Sequence, residues 1–172
     1  MEATTIGLRL LHIGSGVFWA GAAMMLVAFV EPTVRRMGPE GGRFMQRLMG
    51  DSRLPATMGL AAALTVLSGL ALYWSVSGGA SADWVRSGHG LAVTLGGAAG
   101  VVAFLVGLLV NKPTAARLVA LARQLGGGGT PSADSLATVA RLQQRLRRGS
   151  LHATLLLVVS VAAMASARFL HW

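Results

Sequence analysis

Three histidines fall within long apolar stretches of the 172-residue chain, and an arginine precedes two of them by three residues. Arg9 precedes His12, and Arg86 precedes His89. Residues three apart share a helix face, so each guanidinium would lie one turn from its imidazole. The two imidazoles can share a depth if the helix that carries His89 begins a turn earlier, near Trp84. Two imidazoles can ligate a haem iron from opposite sides, and guanidinium groups pair with carboxylates such as the haem propionates. The spacing therefore predicts a haem b held by these two histidines, with both arginines at the propionates.

A third pair with the same spacing, Arg168 and His171, lies at the outer end of the last apolar stretch. Arg168 is a further candidate for a propionate, and His171 is a weaker candidate ligand. His152 is expected to lie at the level of the lipid headgroups, outside the site. Glycines near His12, Gly16 among them, leave room for a flat macrocycle, although glycines also let helices approach closely.

Other metal chemistries are restricted by composition. The apolar stretches contain no Asp or Glu, which argues against a carboxylate proton relay or a di-iron carboxylate site. The chain has no cysteine, which excludes disulfides, Cys-ligated clusters and covalent haem attachment. Copper is the alternative cofactor, because the chain has methionines as well as histidines and both thioether and imidazole ligands suit Cu(I). The methionines within the apolar stretches are Met24, Met25, Met58 and Met164. Their alternative role is hydrophobic packing without any metal.

Four apolar stretches must position these side chains. They cover residues 6–30, 54–76, 89–110 and 151–170, and each is long enough to cross a bilayer. Only 12% of the residues are charged, against roughly 25% in soluble domains. We therefore expect one all-α integral membrane domain over residues 1–172, a four-transmembrane-helix antiparallel bundle. The third and fourth helices are expected to continue as a cytoplasmic helical hairpin over residues 113–149.

The charge of the loops predicts which ends of the helices face the cytoplasm. Twelve of the fifteen Lys and Arg residues fall between the first and second stretches or between the third and fourth. The positive-inside rule puts both loops in the cytoplasm and both termini outside. The net charge of +9 then reflects topology and contact with anionic membrane lipid, and it does not require nucleic acid.

The first stretch also contains a longer motif, in which Trp19-Ala20-Gly21 begins seven residues after His12. This motif resembles the opening helix of the copper-resistance protein D family. It is also similar to the J-type protoporphyrinogen oxidases, a family of haem-binding membrane proteins. The likeness continues through residues 44–48 and 55–58 and weakens in the third and fourth stretches.

The resemblance implies that His12 is a ligand and that Trp19 and Gly21 pack the motif. The oxidase family has a functional lysine near the position of His89, so a histidine there suits two-histidine ligation better than the oxidase reaction. The resemblance therefore implies His89 as the second ligand and does not carry over the reaction.

Several functions are consistent with these residues. The first is a haem protein that passes electrons between a quinone or periplasmic redox partner and an acceptor, its haem near the outer face. If it is an enzyme, it would be a haem-dependent membrane oxidoreductase. The alternatives are a copper transport or resistance protein, a porphyrin-oxidising enzyme, and a scaffold whose basic hairpin docks a partner. A homodimer through a small-residue face such as Gly96 and Gly100 is also open.

Overall fold

The computed structural model describes residues 2–125 and 132–170, which form α-helices joined by short turns and no strand. The helices of this part of the chain are α1 Glu2–Met25, α2 Glu31–Arg36, α3 Pro39–Gly50, α4 Leu54–Val76, α5 Ala82–Arg86, α6 Gly88–Val106, α7 Lys112–Leu125 and α8 Ala133–Ser166.

Four helical stretches are long and apolar enough to cross a membrane, as the sequence predicts. They are Glu2–Arg36, Leu54–Val76, Gly88–Leu125 and Ala133–Phe169. Helix α7 lies in the same helical stretch as α6 and packs against α8. The tip of the expected hairpin lies outside the described residues.

Two of these stretches contain a π-helical turn, at Leu26–Val30 and at Gly107–Asn111. Each turn ends two residues before a proline, Pro32 in the first case and Pro113 in the second. A proline gives no backbone N–H, and its ring collides with the carbonyl four residues earlier in a regular α-helix. That carbonyl lies within the π turn in both cases. The wider turn therefore lets the helix continue through the proline.

The long helices form a ring in the order α1, α4, α6, α8. The most extensive packing joins α1 to α4 and α6 to α8, and smaller contacts join α4 to α6 and α8 to α1. Helices α1 and α6 thus lie diagonally across the bundle. They meet at its centre through Trp19 and Phe104, whose rings are edge to face with centroids 6.4 Å apart.

Small side chains make up most of the core. It consists of Trp19, Ala20, Ala61, Ala62, Ala103, Ala153 and Leu157. Large apolar side chains point outward instead; Val17 is 69% exposed and Phe29 is 70% exposed. Lipid tails are as apolar as leucine, so membrane helices associate through close packing of small residues. This distribution is typical of a bundle surrounded by lipid.

The small-residue face of α6 packs against α8. A Cβ added to Gly96 would lie 3.1 Å from the carbonyl oxygen of Ser160, and one added to Gly100 would lie 3.2 Å from the Ser160 hydroxyl. The face considered above for a homodimer is therefore covered by α8 of the same chain.

Candidate functional site

His12 is half-buried between α1 and α4. Its Nδ1 atom is 2.8 Å from the backbone carbonyl oxygen of Thr65. A carbonyl oxygen can only accept, so Nδ1 donates the proton, and the Nε2 atom of the neutral ring keeps a lone pair. The imidazole is thus fixed in the tautomer that leaves Nε2 able to bind a metal.

A glycine on α4 makes room for this ring. A Cβ added to Gly69 would lie 2.7 Å from Cε1 of His12 and 3.0 Å from its Nδ1. Gly16, one turn further along α1, faces Thr65, whose Cγ2 atom would be 3.4 Å from an added Cβ. The hydroxyl oxygens of Thr65 and Ser15 are 2.8 Å apart. The α1–α4 interface therefore holds His12 by close packing and by hydrogen bonds together.

His89 is also half-buried, at the start of α6. Its Nδ1 atom is 3.2 Å from the carbonyl oxygen of Ala167, and its ring is edge to face with Trp84 at 5.9 Å. Trp84 in turn contacts Tyr73 of α4 at 5.3 Å between ring centroids. The carbonyl again fixes the proton on Nδ1 and leaves the Nε2 lone pair for another partner.

The condition for a shared depth of His12 and His89 is not met, because the third long helix does not extend back to Trp84. Helix α5 includes Trp84 but ends at Arg86, and α6 begins at Gly88. Between them Ser87 has an extended backbone (φ −66°, ψ 153°), and its hydroxyl accepts a hydrogen bond from the amide of Gly90. This is an N-cap, which starts a new helix. Arg86 and His89 therefore do not share a face of one continuous helix.

The other predicted site residues lie in different surroundings. Arg9 is exposed on α1, and exposed Arg168 has its guanidinium carbon 4.6 Å from the centre of the Phe169 ring. Trp19 is buried in the core. His171 lies outside the described residues.

His12 and His89 lie at different depths in the bundle. Trp19 of α1 and Phe104 of α6 are in contact, and the two helices run in the same direction. His12 lies seven residues before Trp19, and His89 lies fifteen before Phe104. At a rise of about 1.5 Å per residue, His89 is about 12 Å nearer to the predicted outer end. Two nitrogens on one metal are only about 4 Å apart. The structure therefore does not bring the two imidazoles together.

A methionine lies at the depth of His12. At the helical rise of about 1.5 Å per residue, Gly97 of α6 lies level with His12. A Cβ added to Gly97 would lie 4.0 Å from the terminal methyl carbon of Met164. Met164 is half-buried on α8, which neighbours α1 in the ring. Its side chain lies along Gly96 and Gly97.

Within residues 2–125 and 132–170, no three His, Asp or Glu side chains form a cluster that could hold a metal ion. Haem iron needs only one or two protein ligands, so this finding leaves the histidine sites open. Comparison of the chain with known protein families, with curated proteins and with solved structures finds no match.

Proposed function

We propose that the protein is a b-type haem protein of the bacterial inner membrane that transfers electrons, and that His12 would hold its haem by the iron. The observation that carries this proposal is the fixed ring of His12, with Nδ1 bound to the carbonyl of Thr65 and the Nε2 lone pair free. Metal-ligating histidines almost always donate their other ring N–H to a carbonyl or a carboxylate. A quinone or a periplasmic redox protein would be the partner.

Met164 would hold such a haem beside His12 more readily than His89 would. Met164 shares the depth of His12, whereas His89 would have to move inward by about 12 Å. A bound haem would supply one-electron chemistry, while the chain buries it and orients its ligands. A methionine ligand would raise the reduction potential of such a haem. Arg9 is exposed one turn from His12, toward the predicted outer end, and would pair with a propionate.

Absorption spectra of the purified protein test this assignment. We expect a Soret band that is lost in His12→Ala and kept in both His89→Ala and the distant control His152→Ala. Met164→Leu keeps the side-chain volume, so it should retain the haem while shifting the spectrum and lowering the potential. A colourless protein, or an unchanged Soret band in His12→Ala, contradicts the proposal. Loss of the band in His89→Ala with an unchanged spectrum in Met164→Leu would restore His89 as second ligand.

Copper is the second candidate, because an imidazole and a thioether at one depth also suit Cu(I). A copper transport or resistance protein would be purified without a Soret band. Elemental analysis would then find copper, and both His12→Ala and Met164→Leu would lower its amount.

A further inference from the structure

A groove with an unusual concentration of positive charge lies at the end of the bundle away from His89. It has a volume of about 390 Å³, within the range of sites for small ligands. One wall is a single face of α8, with basic residues spaced by four, three and four positions. These are Arg141, Arg145, Arg148 and His152. Val106 and Val110, on the continuous stretch of α6, form the facing wall.

Among the described residues, no carboxylate pairs with the arginines of this groove. In the part of the chain that the structure describes, the ion pairs are Arg123 with Asp51 and Arg147 with Glu31, and neither arginine lines the groove. Arg141 is held only by its own helix, at 3.4 Å from both the carbonyl of Ala137 and the hydroxyl of Thr138. The groove therefore presents guanidinium groups without a carboxylate partner, which suits an anion.

The same face of α8 becomes apolar immediately beyond the arginines. A second groove of about 360 Å³ shares His152 with the first and is otherwise lined by Leu155, Leu156 and Val159. The two grooves thus form one continuous surface, cationic at one end and apolar at the other. A soluble anion would match only the first part, whereas a phospholipid matches both.

We propose that these two grooves together are a binding site for an anionic phospholipid. The guanidinium groups of Arg145 and Arg148 bind the phosphate, and an acyl chain lies along Leu155, Leu156 and Val159. Basic pockets beside membrane helices bind anionic headgroups by this combination of charge and apolar contact. This site is separate from His12 and does not depend on a haem.

Thermal unfolding of the delipidated full-length protein in a zwitterionic detergent tests the site. We expect phosphatidylglycerol to raise Tm with a saturable dependence, and phosphatidylcholine with the same acyl chains to raise it little. The double variant Arg145→Gln/Arg148→Gln should bind phosphatidylglycerol about thirtyfold more weakly, since it loses two basic contacts. The control Arg147→Gln removes a charge from the same helix, where the side chain pairs with Glu31 at 3.4 Å, and should bind normally.

Each contrary result overturns the proposal in a distinct way. Equal effects of phosphatidylglycerol and phosphatidylcholine would mean that the arginines do not select the lipid. An equal effect of inorganic phosphate or glycerol phosphate would mean that a soluble anion is the ligand. Unchanged affinity in the double variant, or an equal loss in Arg147→Gln, would mean that the lipid binds elsewhere. Native mass spectrometry of the variants gives an independent count of bound lipid.

Discussion

At the scale of single residues, the position of the His12 ring depends on a glycine of the facing helix. Gly69 leaves the space that Cε1 and Nδ1 of His12 occupy, and the ring can then reach the carbonyl of Thr65. Any side chain at position 69 would have to push the ring away from that carbonyl. The free Nε2 atom would be displaced with it.

We therefore expect Gly69→Ala to lower the stability of the protein by about 1–3 kcal/mol, as overpacking in a core does. If His12 ligates a haem, the same variant should also bind haem more weakly. Thermal unfolding and the Soret absorbance measure the two effects. The control is Gly59→Ala, which lies on the same helix with nothing within 4 Å of an added Cβ. Equal behaviour of the two variants would show that close packing at Gly69 is not needed.

The sequence identifies His12 as a candidate but does not identify its hydrogen-bond partner. A histidine in an apolar span without a carboxylate must find a metal or a fixed acceptor, and that requirement is readable from residue types. The acceptor here is a backbone carbonyl, which every residue of α4 offers equally. Which carbonyl is used depends on the register of α1 against α4. That register is set by Gly16, Thr65 and Gly69 acting together.

At the scale of helices, α6 and α8 approach closely because of Gly96. A Cβ there would lie 3.1 Å from the Ser160 carbonyl oxygen and 3.2 Å from the Ala163 Cβ, neither of which can turn aside. Gly97 differs, because its nearest neighbour is the terminal methyl of Met164 at 4.0 Å. Two adjacent glycines of one helix thus have opposite tolerance for a side chain.

We expect Gly96→Ala to lower the thermal unfolding temperature, with a cost of about 1–3 kcal/mol. Gly97→Ala should be neutral or stabilising by up to about 1 kcal/mol, because alanine favours the helix more than glycine does. Thermal unfolding of both variants in the same detergent measures the difference. A cost at Gly97 as large as that at Gly96 would contradict the packing described for this interface.

The starts of the helices are only partly predictable. Ser87 is a good N-cap by residue type, yet the residues before it also form a helix, and residue types alone do not show that this short helix is separate. The π turns before Pro32 and Pro113 are likewise not predictable from residue types. A proline in a long apolar segment indicates a local distortion, but whether the helix bends, breaks or widens depends on the neighbouring helices.

At the scale of the whole molecule, the distribution of charge predicts which end of the bundle faces the cytoplasm. The natural chain has no cysteine, so a single introduced thiol can report its own side of the membrane. Ser81 lies exposed in the turn before α5, and Gln143 lies exposed on the polar part of α8.

An impermeant maleimide applied to intact cells should label Ser81→Cys. It should label Gln143→Cys only after the membrane is permeabilised, because the basic loops are retained inside. Cysteine-free protein is the background control. The reverse labelling pattern would invert the orientation, and labelling of both sites in sealed cells would argue against a membrane between them.

The number and type of the long helices can be predicted from the sequence, whereas their arrangement cannot. Four apolar segments of sufficient length require helices, because a bilayer offers no partner for unpaired backbone groups. Pairing His12 with His89 needed a further assumption, that the two lie at one depth. Their depths follow from the contact of Trp19 with Phe104 across the diagonal, which no spacing within either helix encodes.

The ring of helices has a consequence for the order in which the chain can assemble. Each of its two most extensive contacts joins consecutive spans, α1 with α4 and α6 with α8. The first pair of helices can therefore form before the second pair has been synthesised. No helix made early depends on a partner that is far away in the sequence. Contacts local in sequence cost less chain entropy to close. The two helix pairs can thus form separately and then pack together, which brings Trp19 into contact with Phe104.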